Sequence, residues 1–101
     1  METVIGLQNS NAYVRNKNGE VYHLNKNKTT IGRSGDIYFP KDRYMSKVHA
    51  SIKSNEEGYF ISDNKSSNGT RVNSKVIKNS VRLSSGDIIV CGKTDMEFRN
   101  E

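Results

Sequence analysis

The sequence predicts an all-β protein, a β-sandwich of two mainly antiparallel sheets, and three observations carry that reading. Apolar residues fall in short runs with every-second-residue spacing, separated by clusters of Asn, Asp, Ser, Gly and Lys, as half-buried strands and their turns require. No window of a dozen residues carries the i, i+3, i+4, i+7 apolar spacing of an amphipathic helix free of Gly, Pro or clustered Asn and Ser. A chain of 101 residues, only 33% hydrophobic and 27% charged, fits one domain with a thin core, which two layers of sheet provide. Five tyrosines, three phenylalanines and many β-branched residues set it apart from a disordered chain.

Residues 1–11 hold one apolar cluster, Val4-Ile5-Gly6-Leu7, before the polar Gln8-Asn9-Ser10-Asn11. They read as an N-terminal extension or an extra edge strand, and residues 12–99 as the domain itself. Ala12-Tyr13-Val14-Arg15 and Glu20-Val21-Tyr22-His23-Leu24 flank Asn16-Lys17-Asn18-Gly19, and Asn-Gly between alternating runs is the strongest short-range hairpin signal. His23 is expected to face solvent or a cross-strand neighbour. After a polar break, Thr29-Thr30-Ile31 delivers Gly32 and Arg33 into a loop, and Asp36-Ile37-Tyr38-Phe39 runs to the only proline, Pro40.

Residues 41–45 form a connecting loop. Val48, Ala50 and Ile52 then alternate with Lys47, His49, Ser51 and Lys53, which predicts a strand with one buried face. Asn55-Glu56-Glu57-Gly58 turns the chain into Tyr59-Phe60-Ile61, and 63–69 is a long polar loop. Thr70-Arg71-Val72, Val76-Ile77, Val81-Arg82-Leu83, Ile88 to Cys91 and Met96-Glu97-Phe98 complete the strands.

A net charge of +5 and a pI near 9.4 admit nucleic acid, acidic lipid or phosphorylated protein as partner. Lys and Arg are scattered without a run of three, as on a solvated basic surface. The single cysteine, Cys91, lies in an apolar run and reads as a buried, inert thiol, which excludes an internal disulfide and fits a reducing compartment. No apolar stretch approaches a membrane span, and Met1-Glu2-Thr3 lacks the basic flank and apolar core of a signal peptide, so a cytoplasmic location is expected. One cysteine and two distant histidines make no metal site, and nothing in the chain calls for a cofactor.

Chemistry concentrates at three turn-like points. Arg33 brings a planar fork of donors, Ser46 a hydroxyl, Lys47 a mobile ammonium, Ser67 a second hydroxyl and Asn68 an amide. Together these are the donors a phosphate dianion needs. Two other constellations fail. Ser46, His49 and Asp63 resemble a nucleophile, base and orienting acid, but in an extended chain residues three apart point to opposite faces, so Ser46 and His49 meet only if the chain bends there. Gly86-Asp87-Ile88-Ile89-Val90-Cys91-Gly92-Lys93-Thr94 resembles a nucleotide phosphate loop, yet it has one residue too many between its glycines, an apolar strand-like interior and no following helix. Gly86-Asp87 reads as a turn and Gly92 as a strand end.

Gly32-Arg33, Ser46-x-x-His49-Ala50, Asp63-x-x-Ser66-x-Asn68-Gly69-Thr70-x-Val72-Asn73 and Leu83-x-x-Gly86-Asp87 with Gly92 resemble a forkhead-associated domain in order and spacing. The resemblance implies a sandwich with binding loops at one end, and a partner that is a threonine-phosphorylated protein or peptide. It implies that Arg33, Ser46, Ser67 and Lys47 bind the phosphate and that Asn68 holds the peptide backbone. Tyr44 and Arg71 then contribute to peptide preference. Gly32, His49, Asp63, Ser66 and Gly69 shape the loops, with His49 bracing them from behind. The sequence departs from the family at Ser74, where glycine is frequent, and at its N-terminal extension.

The function so implied is phosphothreonine-dependent binding in kinase-linked signalling or assembly, without catalysis. Two alternatives stand beside it: a phosphate-independent assembly domain, and a basic nucleic-acid binder stacking bases on its tyrosines. No aromatic–basic motif of the known nucleic-acid modules is present.

Overall fold

The structure is a computed structural model, and it describes residues 11–100. The proposed extra strand in residues 1–10 therefore lies outside the described residues. Asn11 is exposed and belongs to no strand.

Eleven strands form two sheets among the described residues: β1 Ala12–Asn16, β2 Val21–His23, β3 Lys28–Gly32, β4 Ile37–Tyr38, β5 Ala50–Asn55, β6 Gly58–Asp63, β7 Thr70–Val72, β8 Lys75–Val76, β9 Val81–Arg82, β10 Ile88–Cys91 and β11 Thr94–Asn100. One sheet has six strands in the order β2-β1-β11-β10-β7-β8; the other has five in the order β4-β3-β5-β6-β9. Every pairing is antiparallel except β3 with β4, where Ile31 pairs with Ile37 and Gly32 with Tyr38.

Period-two patterning makes these strands. In β1 Val14 points inward, in β6 Tyr59 and Ile61, in β10 Ile89 and Cys91, and in β11 Met96 and Phe98. Their side chains meet Ile31 and Ile52 between the sheets, and the Phe98 and Tyr59 rings pack in a tilted arrangement, 5.5 Å between centroids. The expected hairpin at 16–19 is present, with Gly19 at φ 88°. His23 is exposed and pairs across the strand with Tyr13, the rings 6.1 Å apart.

The alternation predicted from Lys47 onward does not hold at its start. Val48 is exposed, His49 is fully buried, and β5 begins only at Ala50. Residues 46–49 bend before the strand, which turns His49 inward and Val48 out.

Register fixes which loops gather. Ile31, near the end of β3, pairs with Ala50 at the start of β5, and Ala50 pairs with Asp63 at the end of β6. In the other sheet Thr70, which opens β7, pairs with Cys91 at the end of β10, and Cys91 pairs with Thr94. The connections 33–36, 39–49, 64–69 and 92–93 therefore all leave the sandwich at one end.

Candidate functional site

The first of these connections projects Arg33. Residues 33–36 join two parallel strands directly, far more tightly than an ordinary parallel crossover of a dozen or more residues. Asp36 closes the bend, its carboxylate accepting from the backbone N–H of Thr30 at 2.9 Å and from the Thr30 hydroxyl at 3.1 Å. These bonds, with Lys26 at 2.9 Å, hold the Asp36 carboxyl well below its ordinary value, at about 2. Gly32 is required by contact: a Cβ there would lie 2.1 Å from the Lys47 carbonyl oxygen. That close approach lets the Arg33 N–H donate to the Ser46 carbonyl at 3.0 Å and the Ser34 N–H to that of Lys47 at 2.9 Å.

The half-buried Arg33 side chain spends one donor on its own scaffold, Nε to the Met45 carbonyl at 2.7 Å. Its remaining N–H groups have no partner among the described residues. Ser46 Oγ accepts from the backbone N–H of Ser67 at 3.1 Å, which ties the second block to the third and leaves the hydroxyl proton to donate. The exposed Ser67 hydroxyl and Lys47 ammonium have no partner among the described residues. Asn68 Nδ2 donates to the Tyr44 carbonyl at 2.7 Å.

His49 lies beneath this layer. Its Nδ1 accepts from the Ser46 N–H at 2.9 Å, so Nε2 carries the proton and donates to the Gly69 carbonyl at 2.7 Å. The chain thus bends where a nucleophile–base pair would need it to. Both ring nitrogens are nevertheless occupied by backbone, and neither remains to take a proton from Ser46 Oγ.

Asp63 organises the 64–69 loop. It accepts from the Ser66 N–H at 3.0 Å, from the Ser66 hydroxyl, and from the buried Thr70 hydroxyl at 2.7 Å, while Ser66 Oγ accepts from the Gly69 N–H at 2.9 Å. Burial alone would raise the Asp63 carboxyl, but the bonds from Ser66 and Thr70 outweigh it and hold the group below the ordinary carboxylate range. Gly69 takes φ 80°, the left-handed region that glycine enters freely.

Arg71 is exposed on β7, opposite Val76 and Val90, on strand rather than loop. Tyr44 is 52% exposed and its ring carries the Lys93 ammonium at 4.6 Å from the centroid.

Asp42 and Lys93 were not singled out as site residues from the sequence. Asp42 accepts from the Tyr44 N–H at 2.9 Å, the Lys93 N–H at 2.9 Å and the Thr94 hydroxyl at 2.6 Å, clamping the 92–93 turn against the 39–49 loop. The only sequence signal there was Gly92-Lys93-Thr94, set aside with the false nucleotide loop. Among the described residues no group of three or more His, Cys, Asp or Glu could hold a metal, and no helix is long and apolar enough to cross a membrane.

A two-sheet sandwich whose loops converge at one end around a partly uncommitted arginine defines a recognition module. The chain belongs to the FHA domain family, whose model matches residues 29–92. FHA domains are binding modules rather than enzymes. The chain is 39% identical over 83 residues to the oxoglutarate dehydrogenase inhibitor of Corynebacterium jeikeium, an alignment covering 81% of this chain and 57% of that protein. It thus spans little more than half the length of that relative. Among solved structures it superposes on Mycobacterium tuberculosis EmbR in complex with a low-affinity phosphopeptide, at TM-score 0.82 and 33% identity over 87% of this chain and 24% of that one. It also matches an FHA domain studied for phosphothreonine-dependent interactions, at TM-score 0.80 and 26% identity, covering 87% of this chain and 94% of the other.

Proposed function

We propose that residues 12–99 form a module that binds threonine-phosphorylated peptides or proteins, with no cofactor. The observation that carries the reading is the Arg33 guanidinium, fixed by Nε on the Met45 carbonyl with its other donors unpartnered among the described residues, on a loop whose backbone is bonded to that of Ser46. In this reading Arg33, Ser46 and Ser67 hold the phosphate, and Lys47 adds a mobile charge without bidentate geometry. Asn68 meets the peptide backbone, Tyr44 and Arg71 meet its flanking side chains, and Gly32, His49, Asp63, Ser66 and Gly69 keep the loops in shape. Kinase-linked signalling or assembly in the cytoplasm is the setting this function fits; the relatives' phosphopeptide partners support it.

Charge-assisted hydrogen bonds contribute about 1.5 to 3 kcal/mol each, so two or three net bonds imply at least roughly hundredfold discrimination against unphosphorylated peptide. The test is calorimetric titration of the native domain and Arg33→Ala with degenerate phosphothreonine, phosphoserine and unphosphorylated peptide pools. Binding confined to the phosphothreonine pool and lost in the variant is the expected result. Equal binding of all three pools, unchanged in Arg33→Ala, overturns the reading in favour of a phosphate-independent assembly domain. Binding of nucleic acid that falls steeply with salt and ignores phosphothreonine points to the remaining alternative.

A further inference from the structure

The cation on the Tyr44 ring has no role in the phosphate contacts, and its position is built rather than incidental. Lys93 occupies the β10–β11 turn, distant in sequence from the 33–36, 39–49 and 64–69 loops. The Asp42 carboxylate binds its backbone N–H and the Thr94 hydroxyl with one oxygen and the Tyr44 N–H with the other. The two connections approach so closely that a Cβ on Gly92 would sit 2.8 Å from the Met45 nitrogen. The turn therefore has one seat on the loop, and that seat puts the Lys93 ammonium 4.6 Å from the centre of the Tyr44 ring. Tyr44 in turn offers its carbonyl to Asn68.

Charge distinguishes Lys93 from the paired lysines. Lys17 and Lys26 are neutralised by Asp95 and Asp36 at 3.2 and 2.9 Å. Lys93 forms no ion pair among the described residues. It borders an open groove of about 810 Å³, so there is room beside it for an incoming side chain. Of the carboxylates facing that groove, Asp36 and Asp95 are paired with those lysines, while Glu20 and Asp42 accept hydrogen bonds from uncharged donors and keep their charge, and Lys41 adds a second lysine without an ion pair among the described residues. An ammonium held on an aromatic face, without an ion-pair partner and with space before it, is a receptor for a carboxylate.

We infer that Lys93, steadied by Tyr44, selects phosphopeptides carrying an aspartate or glutamate on the side of the phosphothreonine that meets Tyr44. This rests on the phosphothreonine reading and narrows its partners to acidic phosphosites. The backbone bond of Lys93 to Asp42 survives any side-chain replacement, so Lys93 variants keep the turn in place.

The experiment is an array of phosphothreonine peptides in which each flanking position is set in turn to Asp, Glu, Ala or Lys, probed with the native domain, Lys93→Ala, Lys93→Glu and Arg33→Ala. An exposed ion pair implies two- to fivefold enrichment of Asp or Glu over Ala at one position in the native domain. That enrichment disappears in Lys93→Ala and turns toward Lys in Lys93→Glu. The peptide with Ala at that position binds the native domain and both Lys93 variants within about twofold. Arg33-dependent binding with no acidic preference, or with the same preference in Lys93→Glu, overturns this inference alone. Absence of phosphothreonine dependence in the native domain overturns it together with the reading beneath it.

Discussion

Ser46 and His49 meet backbone to ring: the Ser46 N–H donates to His49 Nδ1 at 2.9 Å while the opposite ring nitrogen donates to the Gly69 carbonyl at 2.7 Å. A fully buried imidazole thus joins the loop between β4 and β5 to the loop that carries the chain from β6 across to β7 in the other sheet. His49→Ala strands a buried donor and a buried acceptor, and the expected cost is about 2 to 4 kcal/mol of unfolding free energy. Urea denaturation measures this, and a loss below about 0.5 kcal/mol would mean that the bridge is dispensable.

Gly32→Ala places a methyl group within 2.1 Å of the Lys47 carbonyl oxygen, so the two connections must separate. We expect a loss of about 2 to 3 kcal/mol, as for overpacked interiors. Peptide affinity should fall as well, because the same contact seats Arg33 against Ser46. Affinity retained at native strength in a destabilised variant would show that the proposed phosphate-binding loops tolerate this movement.

At the opposite end, Asn73 and Ser74 link β7 to β8 with φ of 51° and 73°. A two-residue hairpin with both residues left-handed strongly favours glycine at its second place. Ser74→Gly should raise stability by up to about 1 kcal/mol and leave phosphopeptide affinity unchanged. A lowered thermal midpoint would show that the serine compensates for its conformation by some other interaction.

Asp63 and Asp42 both have carboxyls held below the ordinary range, where hydrogen bonds outweigh the upward push of burial. A depressed native value contributes stability above the unfolded value of about 4 and loses it as pH falls through the native value. The urea midpoint should therefore fall on acidification below about pH 4, with a smaller dependence in Asp63→Asn. An equal slope in that variant would assign the acid sensitivity elsewhere.

Cys91 is fully buried, and burial pushes its thiol up to about 12, with the neighbouring Thr70 hydroxyl opposing only in part. The folded domain should resist alkylation at neutral pH and react fully once unfolded. Mass spectrometry after timed iodoacetamide exposure checks this, and rapid labelling under native conditions would reveal frequent opening of β10.

Most strands were legible because a half-buried strand writes its period into the sequence: Val14 in β1, Ile61 in β6 and Phe98 in β11 face the core where alternation places them. The hairpin at Asn16 to Gly19 and the inert Cys91 were legible for equally local reasons. The parallel pairing of β3 with β4 was not, since it depends on Asp36 and two glycines folding a short connection back on itself. Nor was the inward turn of His49, because alternation assumes an extended chain and residues 46–49 bend. The three chemical blocks announced themselves by residue type. Lys93 did not, because only the pairing of β10 with β11 and the Asp42 clamp bring it to Tyr44.

The pairing of Ala12 with Asn100 has a practical consequence. With β11 running seven residues from the Lys93 turn, these two positions sit about 20 Å from the loops and side by side. A tether, fluorophore or sensor-chip anchor attached at Ala12 or Asn100 would emerge from the pole opposite the loops. Joining Ala12 to Asn100 by a short linker and opening the chain at Ser74 should yield a circular permutant whose recognition face is untouched.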